Sequence, residues 1–427
     1  MTRIVREKTY RTGRKELIAA LDVGSSKVTC LIARIEANRA GAPQLRVLGI
    51  GHQVSEGVKC GAIVDMAAAE GAIRTAVESA ERMAEVTVDD VSLSFSTGSP
   101  ASKQISIETA VSGQEVGEQD VRRVLQQARI AVLHDDREVL HAVPVAYTID
   151  GCAGIKEPRG MYGDHLGVLM HAVTAATAPL RNLTVCVERC HLRVSNLVIA
   201  PFASALAVLV DDEMDLGVTC IDMGAGTTSL SVFRYGAMVH CDVIPIGGQH
   251  VTTDIARGLS TSMVHAERMK TLQGSVLSGL ADEREMISVP LMGEEESEEP
   301  NRIPRSSLPR IIRPRLEETF ELVRERLRAS GCEAMAGRRV VLTGGASQLN
   351  GVRELAARIL DRQVRLAVPP PLPGLASLTS GPAFATVVGL LNHQARGAVE
   401  ASRSLMDVEA PAFGQFMRVA RWLRGNF

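Results

Sequence analysis

Aromatic side chains are scarce in this chain: 427 residues include eight Phe, four Tyr and one Trp. Long apolar runs are missing too, and no window approaches the roughly 20 residues a membrane-spanning helix needs. The N-terminus, "MTRIVREKTYRTGRKE", is basic and polar, so it reads as neither a secretory signal nor an anchor. A marked excess of one sign of charge is absent as well. A net charge of −2 and a pI near 6.6 give no whole-chain reason to bind nucleic acid. No GxxxxGK[ST] phosphate loop occurs, which excludes the commonest nucleotide-binding device. The eight cysteines include no CxxC pair and read as buried free thiols of a reducing compartment. Cys186, Cys190 and His191 do cluster, but on an expected helix without a second ligand pair, so core packing is the reading there.

What the chain does have is bulk: 45% hydrophobic residues over this length imply large cores and at least two domains. Three stretches share one plan, an apolar strand running into a turn of small residues. In "ELIAALDVGSSKVTCLIARI", Ile18 to Leu21 lead into Asp22-Val-Gly24-Ser25-Ser26-Lys27, and Val28 to Ile35 return as a strand. "LGVTCIDMGAGTTSLSVFRYGAMVH" repeats the plan about 200 residues later with Asp222-Met-Gly224-Ala-Gly226-Thr227-Thr228, then turns at Tyr235-Gly236 into a third strand. In "RRVVLTGGASQLNGVRELAARIL" a strand passes through Gly344-Gly345 to a helix with Val352, Leu355, Ala356 and Ile359 at helical spacing. Strands alternating with helical segments argue for α/β layers, and the repeated hairpin argues for two related halves facing a cleft.

Such turns expose successive backbone N–H groups that phosphate oxygens can approach closely. Two on opposing halves would clamp a polyphosphate. Asp22 and Asp222 would then face it, which is tenable only with a divalent cation between, and Mg²⁺ is the expected ion. Lys27 adds a point charge, and Thr227 and Thr228 add hydroxyl donors. Each turn alone is ordinary structural chemistry; the specificity lies in the constellation. No general base stands out, so no catalytic residue is assigned, and Asp22 and Asp222 are read as metal-site residues.

"LDVGSSKV", "IDMGAGTTSLSVF" and "VVLTGGASQLNGV" resemble the two phosphate motifs and the adenosine motif of the actin, heat-shock chaperone and sugar kinase superfamily. Within it the chain resembles the FtsA family of bacterial cell-division proteins along almost its whole length. The resemblance implies an actin-like, ribonuclease H-like two-lobed ATPase fold of class α/β. Subdomain 1A would comprise 16–90, 176–210 and 381–391; 2A would comprise 211–248 and 338–380; 2B would occupy 249–337. An α+β insert, 1C, would span 91–175, with "VSLSFSTG" as its first strand. The extension 1–15 and the acidic run at 293–300 are assigned no role. ATP with Mg²⁺ would lie in the cleft, at most weakly hydrolysed. Gly24, Ser25, Ser26 and Lys27 would meet its phosphates with Gly224, Gly226, Thr227 and Thr228. Gly344, Gly345 and Ser347 would bound the adenosine, and Glu267 and Lys270 would reach ribose and base.

The family also implies self-assembly into filaments, other membrane proteins of the divisome as partners, and docking of the C-terminal peptide of the tubulin-like protein FtsZ on 2B. Arg305, Arg310, Arg313 and Arg315 would suit that acidic peptide, although a solvated basic helix end reads equally well. Two rivals stay open: an enzyme of the superfamily, either sugar kinase or chaperone-type ATPase, and a pilus-assembly adaptor.

The scarce aromatics return at the C-terminus. Residues 392–411 are polar and are expected to be a flexible linker. After it, on a helix over 412–427, Phe413, Phe416, Met417, Val419, Ala420, Leu423 and Phe427 fall in one arc, with Arg418 and Arg421 opposite. Trp422 and Arg424 lie off the arc's centre, where both reach a headgroup layer. No acidic residue follows Glu409. This is the composition of a helix lying in a membrane interface; the resemblance implies anionic lipids at the cytoplasmic face of the inner membrane, at the division site.

Overall fold

A computed structural model describes residues 17–37, 43–97, 99–113, 115–132, 136–279, 282–293, 301–375 and 381–408. The expected membrane helix at 412–427, the extension 1–15 and the acidic residues 294–299 lie outside them.

The first lobe begins with β1 (Leu17–Val23), β2 (Lys27–Ala37) and β3 (Pro43–Val54), an antiparallel meander. A small hairpin of β4 (Val58–Lys59) and β5 (Ala62–Ile63) leads to α1 (Met66–Ala84). Asp65 caps α1 through the Ala68 amide, and the helix lays Ala72, Ile73, Ala76 and Ala80 on the sheet. Next, β6 (Asp90–Phe95) joins parallel to β1.

The insert follows: β7 (Ala101–Ala110), α2 (Glu118–Ile130), β8 (Arg137–Ile149), β9 (Cys152–Ile155) and β10 (His165–Ala176). Its sheet has the order β7-β10-β8-β9, with α2 on one face over a core of its own. The expected first strand of the insert, "VSLSFSTG", belongs instead to the first lobe. Val91 to Phe95 are buried at every position, as in a central strand covered on both faces, and no period of two marks them as half-exposed.

The chain returns through α3 (Thr177–Glu188), β11 (Arg193–Ile199) and α4 (Ala200–Val208), then enters the second lobe at α5 (Asp211–Leu216). There β12 (Val218–Met223), β13 (Thr228–Arg234) and β14 (Ala237–Ile244) repeat the opening meander. Tyr235 and Gly236, both at positive φ, make its second turn. Helices α6 (Gly248–Leu259) and α7 (Met263–Gln273), the hairpin of β15 (Met286–Val289) and β16 (Asn301–Pro304), and α8 (Ser307–Ala329) build a side domain. The lobe closes with β17 (Arg339–Thr343), α9 (Val352–Leu360) and β18 (Gln363–Leu366).

The duplication is visible in topology. The first sheet runs β11-β6-β1-β2-β3 and the second β18-β17-β12-β13-β14, with β6 parallel to β1 as β17 is to β12. The insert docks on the second lobe: Gln104 Nε2 donates to the Val239 carbonyl at 3.0 Å, and the Cys241 amide donates to Ser102 Oγ at 3.2 Å. All eight cysteines are free, five of them buried.

The last helix, α10 (Ala385–Val408), crosses from the second lobe back to the first and packs on α4. Residues 392–408 are therefore helical rather than a flexible linker. The stretch "NHQARGAVEASRSLMDV" is polar but contains no proline and is rich in good helix formers, so it extends the buried "ATVVGLL" as a continuous helix. A Cβ on Gly389 would lie 1.7 Å from the Ala203 carbonyl oxygen, whereas one on Gly397 meets nothing within 4 Å. Gly389→Ala is expected to destabilise the protein by about 1–3 kcal/mol through overpacking, and Gly397→Ala to stabilise it by up to about 1 kcal/mol through helix propensity. Chemical denaturation of the two variants checks this. Equal responses would mean that α10 is not seated on α4.

Candidate functional site

The two Asp-bearing hairpins have the same geometry because each strand carries a carboxylate one residue before its end, ahead of a four-residue turn. The Gly24 amide donates to the Lys27 carbonyl at 3.1 Å and the Gly224 amide to the Thr227 carbonyl at 2.9 Å. In register, Asp22 stands opposite Thr29 and Asp222 opposite Ser229. The hairpins meet tip to tip at the floor of the cleft. A Cβ on Gly226 would fall 2.3 Å from Ser25 Oγ and 3.0 Å from the Cys60 Cα, so only glycine permits this closeness. Ser25 is held from the other side by the Gly61 amide at 3.0 Å.

Above this floor lies a cavity of about 1040 Å³, at the upper end of what small-molecule sites occupy. Its walls include Asp22, Gly24, Ser25, Ser26, Lys27, Asp222, Gly224, Gly226, Thr227, Glu267, Lys270, Gly344 and Gly345. These residues, far apart in sequence, are thus brought together as expected. Two are not. Thr228 is fully buried on the opposite side of β13, because alternation puts Thr227 and Ser229 in the cleft instead. The Ser347 hydroxyl turns inward to the Gly344 carbonyl at 2.7 Å, and Gln348 lines the wall in its place. Sequence reasoning missed Ser94, whose hydroxyl donates to Asp22 at 2.5 Å, and Thr386, which donates to Asp222 at 3.2 Å. It also missed Met263, Val264 and Leu349, apolar residues that line the same cavity.

Lys270 reaches the wall, but its three protons have takers: Glu267 Oε2 at 2.6 Å, Thr252 Oγ1 at 2.8 Å and the Gly248 carbonyl at 3.1 Å. It ties α7 to the first turn of α6 and keeps the Glu267 carboxylate at the cleft edge.

The electrostatics are strained in a way that has one simple relief. Burial pushes the Asp222 carboxyl up to about 6, and negative Asp22 adds to the effect against hydrogen bonds from Thr386 and Ser204. Burial also raises Asp22, opposed by the Ser94 bond and by Lys27. Lys27 is lowered to about 8 by burial, opposed by the two aspartates. One partly desolvated ammonium faces two carboxylates that repel each other. Among the described residues no group of three or more His, Cys, Asp or Glu forms a metal cage. Two carboxylates beside a row of turn amides suit Mg²⁺, which usually binds through one or two carboxylates, waters and the ligand's own phosphates.

The basic cluster is mostly spent within the protein. Arg305 pairs with Glu285 at 2.8 Å, Arg313 with Glu317 at 2.8 Å, and Arg315 with Asp254 at 2.6 Å and with Glu318. Arg310, exposed on the first turns of α8, has no such pair among the described residues.

Two duplicated α/β lobes, with paired hairpins facing a cleft, define an actin-like ATPase fold. Solved structures agree on the fold: a type IV pilus biogenesis complex of PilM and PilN superposes with a TM-score of 0.62 at 17% identity, covering 88% of this chain and 98% of that one. MreB 5 of Spiroplasma citri bound to AMPPNP reaches 0.50 at 15% identity, covering 91% and 100%. The family model for cell division protein FtsA matches residues 219–389, and that for the SHS2 domain inserted in FtsA matches 97–174. The chain is 45% identical to the cell division protein FtsA of Agrobacterium fabrum, covering 99% of this chain and 97% of that one, and 32% identical to that of Escherichia coli, covering 97% and 99%. This chain belongs to the FtsA family of cell division proteins.

The Asp222 carboxyl, raised from 3.8 in the unfolded chain to about 6, contributes stability that is complete below pH ~3.8 and lost as pH rises through about 6. At pH 7 without metal the ionised group costs about 1–3 kcal/mol, at about 1.4 kcal/mol per pKa unit. Asp222→Asn is expected to melt like the parent near pH 4 and above it near pH 7, the gap widening between about pH 4 and 6 and staying level beyond. Adding Mg²⁺ with ATP should then stabilise the parent and leave the variant unmoved. A variant less stable than the parent at every pH would remove the electrostatic account.

Proposed function

We infer that this protein is an ATP- and Mg²⁺-binding adaptor of cell division that assembles with copies of itself and fixes FtsZ to the inner face of the cytoplasmic membrane. The observation that carries the reading is the facing pair of Asp-Gly hairpins, whose amides, lysine and desolvated carboxylates suit a metal-bound polyphosphate. Gly24, Ser25, Ser26 and Lys27 would hold the phosphates from one lobe, and Gly224, Gly226 and Thr227 from the other. Asp22 and Asp222 would take Mg²⁺, directly or through water, which supplies charge neutralisation when bound. Gly344, Gly345 and Gln348, with Met263, Val264 and Leu349, would enclose the nucleoside. Membership of the family and the AMPPNP bound in the solved MreB 5 support nucleotide as the ligand.

Membrane attachment rests on the pattern of residues 412–427, to which α10 leads. Burying large apolar side chains gains about 1.5–3 kcal/mol each, and each Arg near an anionic surface about 1 kcal/mol. Ordering a dozen residues costs about 1–2 kcal/mol each. One helix binds weakly, and many on a filament bind tightly because later contacts are intramolecular. Assembly and attachment are thereby coupled. The acidic FtsZ peptide would meet the α8 end of the side domain, with Arg310 as its first cation and the other arginines available by exchange of partners. The insert, with its separate core, suits other divisome proteins.

Flotation with anionic liposomes, comparing the intact chain with one ending at Pro411, tests attachment and its coupling together. The intact chain should float, more strongly with Mg²⁺ and ATP, and the truncated chain should stay at the bottom. Equal flotation would overturn the anchor, and flotation indifferent to ATP would overturn the coupling.

A further inference from the structure

The short turn that begins the last helix touches all three of the motifs that build the cleft. The Gly344 amide donates to the Pro382 carbonyl at 3.2 Å, Thr386 donates to Asp222 at 3.2 Å, and the Phe384 ring lies under the Lys27 ammonium, 3.2 Å from Nζ to its centroid. His52 packs edge-on against the same ring at 6.4 Å. Lys27 makes no ion pair within 4.0 Å among the described residues, although its charge is felt by both cleft aspartates. An ammonium so close to two carboxylates would ordinarily fall onto one of them. Doing so would occupy the oxygens a cation needs and turn its own protons away from a phosphate.

We propose that Phe384 is the positioning residue for Lys27: its ring face holds the ammonium by cation–π attraction, off Asp22 and Asp222, with its protons presented to the nucleotide phosphates. The ring suits this task because its negative face attracts the cation without accepting a directed hydrogen bond, so the N–H donors stay free. It also makes α10 part of the site, since the residue that orients the lysine is fixed by the same turn whose threonine steadies the opposing carboxylate. Nothing in "GPAFAT" carries a charge or a nucleotide motif, so the sequence marks this segment only as chain returning to the first lobe.

The inference rests on reading the cleft as an ATP site, and a double-mutant cycle on the full-length chain tests it. Affinity for a fluorescent ATP analogue with Mg²⁺ is measured for the parent, Phe384→Leu, Lys27→Met and the double variant, with Phe384→Tyr as the conservative replacement. Phe384→Leu should weaken binding by about 3- to 10-fold, the scale of a partly desolvated cation–π contact. In the Lys27→Met background the same change should alter affinity by less than about twofold, and Phe384→Tyr should bind like the parent. Melting curves verify that each variant folds. Equal losses in both backgrounds, or a failure of Phe384→Tyr to retain affinity, would reduce the ring to packing and overturn the proposal while leaving the ATP site standing. Tighter binding by Phe384→Leu would mean that the ring withholds the lysine, which also overturns it. If the folded parent binds no nucleotide, this inference and the ATP reading fall together.

Discussion

Two carboxylates at the ends of duplicated strands, turned toward each other in a cleft that water only partly reaches, set the terms for the rest of the molecule. Asp22 and Asp222 repel, and burial makes that repulsion more expensive than it would be on a surface. The surrounding structure restrains them with hydroxyl donors, Ser94 on one side and Thr386 on the other, and with a single lysine. None of these neutralises both charges. A site in this condition suits a cation, and the adjoining turn amides suit the anion that would accompany it.

The close approach of the hairpins makes the same site a joint between lobes. Gly226 lies against Ser25 and the Cys60 backbone, and α10 spans the two lobes from a start in the cleft wall to a packed seat on α4. Any ligand that bridges the hairpins therefore acts on the relation between lobes as well as on its own contacts. Differential contact of that kind is the physical requirement for a nucleotide to control assembly.

Much of this was legible in the sequence because the duplicated motif is local: an apolar strand, Asp, small residues and a returning strand need only nearest-neighbour reasoning. The hairpin residues line the cleft as expected, apart from Thr228, displaced by strand alternation. Glu267, Lys270 and the Gly344-Gly345 turn came from the family resemblance, which also brought in Ser347, whose hydroxyl satisfies its own turn, and the apolar wall of Met263, Val264 and Leu349 was missed. The partners that tune the site could not be read, since Ser94, Phe384 and Thr386 reach it only through tertiary packing. The pairing of Arg305 with Glu285 and of Arg315 with Asp254 was hidden for the same reason, whereas Arg313 meets Glu317 one turn on in the same helix. Their acids lie on other turns or elements, so a basic run in sequence is largely neutral in space. Composition misled at α10, where polarity suggested a linker although the segment has no proline and many good helix formers.

The central claim is that the cleft needs a divalent cation in order to accept a polyphosphate. Calorimetric titration of ATP into the full chain at pH 7, once with Mg²⁺ and once with EDTA, tests it most directly. The account predicts saturable binding at one site per chain with Mg²⁺ and a loss of most of that affinity in EDTA. Equal affinity in both would show that Asp22 and Asp222 face the nucleotide without a cation, which contradicts the account.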